Sequence, residues 1–188
     1  MRRILTVAFA STTMLLTSCS NPEIEEMVAI IDSSYSAVQK SEAELMSIDT
    51  AVIGKMVRYN TTALSAIQNN FKDTATKEQS IFISDINAVR RSFSKLNVRR
   101  ESLIKDMIYA KSQLNDIKKD VKNGLMTPQD FDDHFPIEQQ AVELFITTVQ
   151  GSIIWNESNT KRFETMKPQI EKFLEEINDD TSGKKPKK

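Results

Sequence analysis

The residue best equipped for covalent chemistry stands near the start of the chain. Cys19 is the only cysteine among 188 residues, and Leu16-Thr17-Ser18 comes directly before it. A thiolate is the strong nucleophile among side chains at neutral pH, which makes Cys19 a candidate for modification. The small residues Thr17 and Ser18 leave the backbone just before Cys19 accessible to a peptidase. Cys19 is therefore a candidate site of covalent modification.

The residues before this site have the layout of an export signal. Arg2 and Arg3 form a positive segment, and residues 4–16 form an apolar segment of thirteen residues. That segment is too short to span a bilayer, which takes about 20 apolar residues. Leu16, two small residues and Cys19 resemble the lipobox of bacterial lipoproteins at every position. The resemblance covers residues 1–19 alone, and it predicts a signal peptide over residues 1–18.

The resemblance implies a lipid anchor on Cys19. In that family the cysteine becomes the mature N-terminus and carries a diacylglycerol, in many bacteria together with an amide-linked fatty acid such as palmitate. Two or three acyl chains anchor a protein stably, whereas one chain binds only marginally. Ser20 is not the aspartate that retains lipoproteins at the inner membrane in the enterobacterial rule, which favours the outer membrane. The alternative is an ordinary buried cysteine behind a simple cleavable signal.

The densest set of potential metal ligands follows a proline in the second half of the chain. It consists of Asp130, Asp132, Asp133 and His134, the only histidine. The set lacks the alternating oxygen ligands, central glycine and terminal glutamate of an EF-hand calcium loop. We interpret it as a capped turn with a solvated acidic face, with a weak divalent-ion contact near headgroups as the alternative. No metal and no cofactor is predicted.

Two further residues are candidates for binding. Arg100 occupies a core position of a heptad series, where it either forms a buried ion pair, extends its stem to the surface or binds a ligand. Trp155 lies one step outside the best apolar frame, so a partly exposed partner patch competes with a place at the edge of the core.

A basic tail ends the chain. It contains Lys184, Lys185, Lys187 and Lys188. Such a tail is either a solubilising end or a contact with an anionic polymer such as peptidoglycan or lipopolysaccharide. A terminal lysine on a helical lipoprotein resembles Braun-type lipoproteins, whose last lysine is joined to peptidoglycan. This chain is much longer than that family, and Pro186 departs from its ending.

Composition limits the function classes. Residues 1–18 hold two arginines and no acid, so the remaining chain has 23 basic and 26 acidic residues, a balance that argues against nucleic-acid binding. The chain has no Gly-x-Ser-x-Gly, no histidine pair and no phosphate-binding loop. We therefore expect no enzyme.

The rest of the sequence predicts an all-α protein. Four glycines and five prolines leave few turns, and the apolar residues recur at spacings of three and four. Helices are expected over about 22–71, 77–123 and 136–178, with a short helical turn near 128–134 and a disordered tail over 179–188. Gly54 marks a phase slip that we interpret as a mild bend, with a full break as the alternative. The middle helix shows an unbroken heptad series from Phe82 to Val121, which is typical of coiled-coil packing.

Three such helices with short connections predict an elongated antiparallel bundle about 70 Å long, spanning residues 19–178. One end carries the lipid and the other end carries the C-terminus. The function expected from this polarity is a non-enzymatic, lipid-anchored rod of the cell envelope that acts as tether, spacer or adaptor. Its expected partners are the membrane and either peptidoglycan or an envelope protein. The alternative is a periplasmic or surface binding module for a protein or glycan, and the oligomeric state is open because a second chain can complete a coiled-coil stripe.

Overall fold

The protein folds into long helices. The computed structural model describes residues 21–71 and 75–181, and within them the elements are α1 (Pro22–Met46), α2 (Thr50–Asn70), α3 (Lys77–Lys122) and α4 (Pro128–Thr181). These described residues contain no strand. The prediction of an all-α helical bundle is confirmed.

The four helices make a bundle with three arms. Helices α1 and α2 each pack against α3 and α4 but not against each other, so they are successive pieces of one arm. The ion pairs Asp32–Lys118 and Glu42–Lys111 show that α3 runs antiparallel to α1, because the α3 number falls as the α1 number rises. Hydrogen bonds from Tyr59 to Glu171 and from Asn70 to Asn178 show that α4 runs parallel to the first arm. The start of α1 and the end of α4 therefore lie at opposite ends of the bundle.

The core follows the heptad series of α3. Its members Ile86, Phe93 and Leu114 are fully buried. They pack with apolar residues from all the other helices, including Ile31 and Val38 of α1. Burial of this apolar surface is the main contribution to the stability of the fold. No disulfide adds to it within the described helices.

The first arm breaks earlier than the sequence predicts. The helix is interrupted at residues 47–49 and continues through Gly54. The Asp49 carboxylate accepts hydrogen bonds from the backbone N–H groups of Ala51 and Val52 at 2.8 and 3.0 Å, so it caps a new helix. The break shifts the buried face by one residue: Ile53 is 2 % exposed, whereas its neighbour Val52 is 40 % exposed. The expectation of one helix over 22–71 was therefore wrong.

Arg100 stabilises this break instead of forming a buried ion pair. Its Nε donates to the backbone oxygen of Leu45 at 3.4 Å, and its Nη2 lies 3.2 Å from the Met46 sulfur. Both partners belong to the last turn of α1, where carbonyls lack partners within the helix and a positive charge complements the helix dipole. The polar residue in the α3 heptad series thus matches the interruption in the neighbouring arm.

The final helix is longer than predicted at both ends. We expected a separate helical turn near 128–134, a helix over 136–178 and disorder from residue 179, but α4 runs without interruption from Pro128 to Thr181. Pro136 and Pro168 each remove one backbone donor inside it. Phe131 and Phe135 stack on each other with ring centroids 4.5 Å apart and are buried. Their burial holds the first turns of α4 on the core, which offsets the loss at Pro136.

Local hydrogen bonds set both ends of α3. Thr76 and Gln79 form a capping box at the start of the helix. Gly124 has a φ of 68° at its end, where the Leu125 N–H donates to the Asp120 oxygen at 2.9 Å and the Gly124 N–H to the Val121 oxygen at 3.2 Å. This pair of bonds is a Schellman motif, and the positive φ explains the glycine.

Replacing Asp49 with alanine is expected to lower the free energy of unfolding by about 1 kcal/mol, within the 0.5–2 kcal/mol typical of lost N-caps. The substitution leaves the N–H groups of Ala51 and Val52 without their acceptor. Urea unfolding followed by circular dichroism measures the change. Asp49→Asn, which keeps an acceptor oxygen, is the matched control and should restore most of the loss. Equal stability of the alanine variant and the native chain would show that the cap does not stabilise the break.

Residues 1–20, 72–74 and 182–188 lie outside the described part of the chain. The predicted signal peptide, the lipidation site Cys19 and the tail residues Lys184, Lys185, Lys187 and Lys188 fall in these segments. They remain predictions from the sequence.

Candidate functional site

One concave feature in the described part of the chain is a groove of about 400 Å³ between α3 and α4. Its apolar lining includes Tyr109 of α3 and Leu144 of α4, which are 62 % and 68 % exposed. Asp106 and Glu138 contribute carboxylates to the same lining. The groove therefore combines exposed apolar surface with negative charge, a combination suited to docking a helix or peptide with apolar and basic side chains.

The sequence did not single out this groove. Tyr109, Ile137 and Leu144 lie outside the heptad frames of α3 and α4, so they were not assigned to the core. Their signal was available, because three large apolar residues off the core frame predict an apolar surface. What the sequence could not show is that α3 and α4 bring them to one face.

Trp155 lies at the margin of the core. Its side chain is half-buried and packs against the core cluster. Its backbone oxygen accepts a hydrogen bond from the Asn159 side chain at 2.8 Å. Trp155 is not among the groove-lining residues, although it lies further along α4 on the same flank as Ala141 and Leu144.

The Asp130–His134 segment forms the first turns of α4. Thr127 and Asp130 cap the helix reciprocally: the Thr127 N–H and hydroxyl donate to Asp130 Oδ2 at 3.1 and 2.6 Å, and the Asp130 N–H donates to Thr127 Oγ1 at 3.2 Å. These hydrogen bonds, the side-chain one first, lower the pKa of Asp130 below its usual value. Asp132, Asp133 and His134 are exposed. Among the described residues no group of three His, Cys, Asp or Glu side chains is placed to hold a metal ion.

Tyr59 links α2 to α4 through a small polar cluster. Its hydroxyl donates to Glu171 Oε1 at 3.4 Å, and the Lys167 ammonium lies 5.7 Å from its ring centroid. Its ring meets the Phe163 ring edge-on at 5.5 Å. Partial burial is the largest cause that raises the pKa of Tyr59 above 10.0, followed by the nearby Glu171 charge.

Tyr59 is expected to lose its proton above pH 10. Phenolate absorbance is titrated in the native chain and in Tyr59→Phe, and the difference between the two curves should have its midpoint above pH 10. Because the pKa of Tyr59 is higher in the folded than in the unfolded chain, the protonated side chain contributes to the free energy of unfolding. This contribution is complete below the unfolded pKa and is lost as pH rises through the folded pKa. The same titration in denaturing urea is the control, and its midpoint should fall to the ordinary value. A native difference curve centred at or below the urea value would contradict the contact with Glu171.

Polar residues interrupt the core of the bundle. Asn60, Ser152 and Asn159 are buried, and each donates its side-chain hydrogen to a backbone oxygen four residues earlier in its own helix. The buried amide oxygens of Asn60, Asn97 and Asn156 have no hydrogen-bond donor among the described residues. A buried acceptor without a donor costs about 1–3 kcal/mol. Each of these asparagines therefore makes its part of the core less stable than a fully hydrogen-bonded side chain would.

Comparison with known proteins found no matching family model, no matching curated protein and no matching solved structure. None of the helices in the described residues is both long and apolar enough to span a membrane.

Proposed function

We propose that this protein is a non-enzymatic, lipid-anchored helical rod of the bacterial cell envelope that acts as a tether, spacer or adaptor. The observation that carries the proposal is the polarity of the bundle. Helix α1 begins at Pro22, three residues after Cys19, and α4 ends at Thr181, seven residues before the end of the chain. Because α1 and α4 run parallel, the anchor and the basic tail leave the bundle at opposite ends.

The length of the bundle supports a spacer. Helix α4 has 54 residues, which corresponds to about 80 Å at 1.5 Å per residue. The end of α4 at Thr181 would then stand about this distance from the membrane that holds Cys19. The four lysines that follow it in the sequence, from Lys184 on, are suited to an anionic polymer such as peptidoglycan.

Binding to purified peptidoglycan tests the tether. The sacculus should retain the full chain and release it with rising salt, because the attraction between exposed charges is screened. A variant in which the four tail lysines are glutamines keeps the length of the tail and should lose retention. Lysine-to-glutamine changes at four exposed lysines of the bundle, Lys40, Lys55, Lys105 and Lys119, remove the same charge and are the matched control. The tether fails if peptidoglycan does not retain the native chain or if retention survives the tail substitutions.

The alternative function is a binding module for a protein or glycan partner, and the α3–α4 groove favours it. Protease treatment of intact cells distinguishes its surface form, with lysed cells as the control. Cleavage on intact cells would place the bundle on the outer surface and favour the module, whereas protection would favour a periplasmic tether. Iodide quenching of Trp155 fluorescence measures how accessible the adjoining surface is, and a fully protected tryptophan would argue against a partner patch there.

A further inference from the structure

Helix α4 carries a second stripe beside the one that enters the core. Its first large members, Ile137 and Leu144, are 67 % and 68 % exposed. The stripe recurs at spacings of four and three residues, which keeps its members on one flank of the helix. Its seven positions are Ile137, Ala141, Leu144, Thr148, Gly151, Trp155 and Ser158. Ala141, Leu144 and Thr148 line the groove. Ile137 lines the adjoining surface, together with Ala141 and Leu144.

Side-chain size alternates about the centre of this stripe. Before Thr148 the order is large, small, large: Ile137, Ala141, Leu144. After Thr148 the order is small, large, small: Gly151, Trp155, Ser158. Two copies laid antiparallel with a two-fold axis at Thr148 would place every large residue opposite a small one. Ile137 would meet the second copy's Ser158, Ala141 its Trp155, and Leu144 its Gly151. Gly151 is exposed, and a Cβ built on it has no atom within 4 Å, so the space above it is open to a leucine.

Helix α3 shows the same symmetry in its charges. Its flank beside the groove is basic at Lys95 and Arg99 and becomes acidic at Asp106, with Tyr109 beyond, and all four are exposed. An antiparallel copy centred on Ser102 would bring Arg99 opposite Asp106 and Lys95 opposite Tyr109. The first pair is an ion pair, and the second is a cation–π contact. Each occurs twice in a two-fold dimer.

The pattern on α3 and the pattern on α4 each indicate a position for the two-fold axis, and the two positions agree. The groove lining ends at Leu103 on α3 and at Thr148 on α4. Because the two helices run antiparallel, these residues lie at the same level of the bundle. The centre of the charge pattern, Ser102, is the neighbour of Leu103, and the centre of the size pattern is Thr148. A pattern in charge and a pattern in size therefore place the two-fold axis at the same level.

We propose that the α3–α4 face binds a second copy of this chain as an antiparallel homodimer, with its two-fold axis beside Ser102 and Thr148. The face is about 33 Å long at 1.5 Å per residue and two helices wide, or roughly 600 Å² per copy, near the ~800 Å² per partner of stable specific complexes. Every residue used lies in α3 or α4, so the proposal stands apart from the lipid anchor. The dimer places the two α1 N-termini at opposite ends of the assembly, so its two copies cannot both insert their anchors in one flat membrane. The proposed tether then describes the copy whose α1 faces the membrane, and the other copy's α1 begins at the distal end.

Cysteine cross-linking tests the antiparallel arrangement. Full-length chains with Ile137→Cys and with Ser158→Cys are purified separately in detergent, then treated with a bis-maleimide alone or mixed. Only the mixture should give a cross-linked dimer, because the account places residue 137 opposite residue 158. The unsubstituted chain is the control for any reaction of Cys19. Cross-linking of each variant with itself but not in the mixture would show a parallel dimer, and no cross-linking in the mixture would exclude this interface.

A charge swap tests the register on α3. Arg99→Asp and Asp106→Arg should each weaken dimerisation by about tenfold or more in sedimentation experiments. The double variant should regain most of the affinity, because it reverses both members of each pair. Failure of the double variant to recover would show that the two residues do not face each other.

A matched pair of apolar substitutions tests the face itself. Leu144→Glu should dissociate the dimer, whereas Ile108→Glu should not, although Ile108 is also 60 % exposed. Ile108 lies about 100° around α3 from Tyr109, away from the groove. A native chain that sediments as a monomer, or equal effects of the two substitutions, would overturn the proposal. A monomeric chain that binds a different protein at Leu144 would give the groove to that partner instead.

Discussion

Cys19→Ser is expected to abolish incorporation of a labelled fatty acid into the protein. A serine hydroxyl is a far weaker nucleophile at neutral pH than a cysteine thiol, and Cys19 is the only thiol in the chain. Leu16-Thr17-Ser18-Cys19 resembles the lipobox of bacterial lipoproteins, in which the cysteine carries the diacylglycerol and becomes the mature N-terminus. The variant should therefore also keep residues 1–18 and migrate more slowly on a gel.

Metabolic labelling with an alkyne analogue of palmitate in a bacterial host measures this effect. Ser20→Ala changes the residue on the other side of Cys19 and is the matched control, which should be labelled and processed like the native chain. Labelling of Cys19→Ser at the native level would place the lipid elsewhere. Absence of label from the native chain would remove the anchor from the proposed function.

The largest loss of stability is expected from Phe93→Ala. The side chain of Phe93 is fully buried within α3 and belongs to the core cluster. Removing a buried phenylalanine ring costs its transfer free energy and leaves a cavity, which together amount to about 3–5 kcal/mol.

Urea unfolding followed by circular dichroism and by Trp155 fluorescence measures the loss. Ile108→Ala, on the same helix but 60 % exposed, should change the free energy of unfolding by less than about 0.5 kcal/mol. Coincident transitions from the two probes would justify a two-state treatment. Similar losses in both variants would contradict the placement of Phe93 at the centre of the bundle.

The sequence predicted the helices best where local chemistry sets their ends. The helix bounds expected near residues 22, 77 and 123 match the structure. There the Asn21 side chain accepts a hydrogen bond from the Glu23 N–H, Thr76 caps α3, and Gly124 takes the positive φ that ends it. Each feature depends on residues within four positions of one another. Such short-range geometry is readable from sequence because it does not depend on the rest of the fold.

The errors arose where packing competes with local signals. Pro136 was interpreted as a helix start, but the burial of Phe131 and Phe135 keeps α4 continuous through it. The phase slip near Gly54 was located correctly to within a few residues, yet the break lies at 47–49, where Asp49 and Arg100 stabilise it. The contact of Arg100 with α1 is a tertiary contact between residues 55 positions apart, and heptad spacing alone contains no information about it.

The candidate sites also differ in whether they are visible in the sequence or depend on packing. Cys19 and the tail lysines are patterns in the sequence, and the described residues do not include them. The α3–α4 groove is the reverse case, because it exists only once two helices with separate exposed residues lie side by side. The proposed function therefore depends on the sequence motifs at the two ends of the chain and on the helical bundle that separates them.

The mass of the N-terminal peptide of the protein, isolated from the membranes of a bacterial host, tests the central claim most directly. The mature chain is expected to begin at Cys19, and this residue is expected to carry a diacylglycerol, with or without a further acyl group. A chain that still contains residues 1–18, or one whose Cys19 is unmodified, would contradict the lipid-anchored rod.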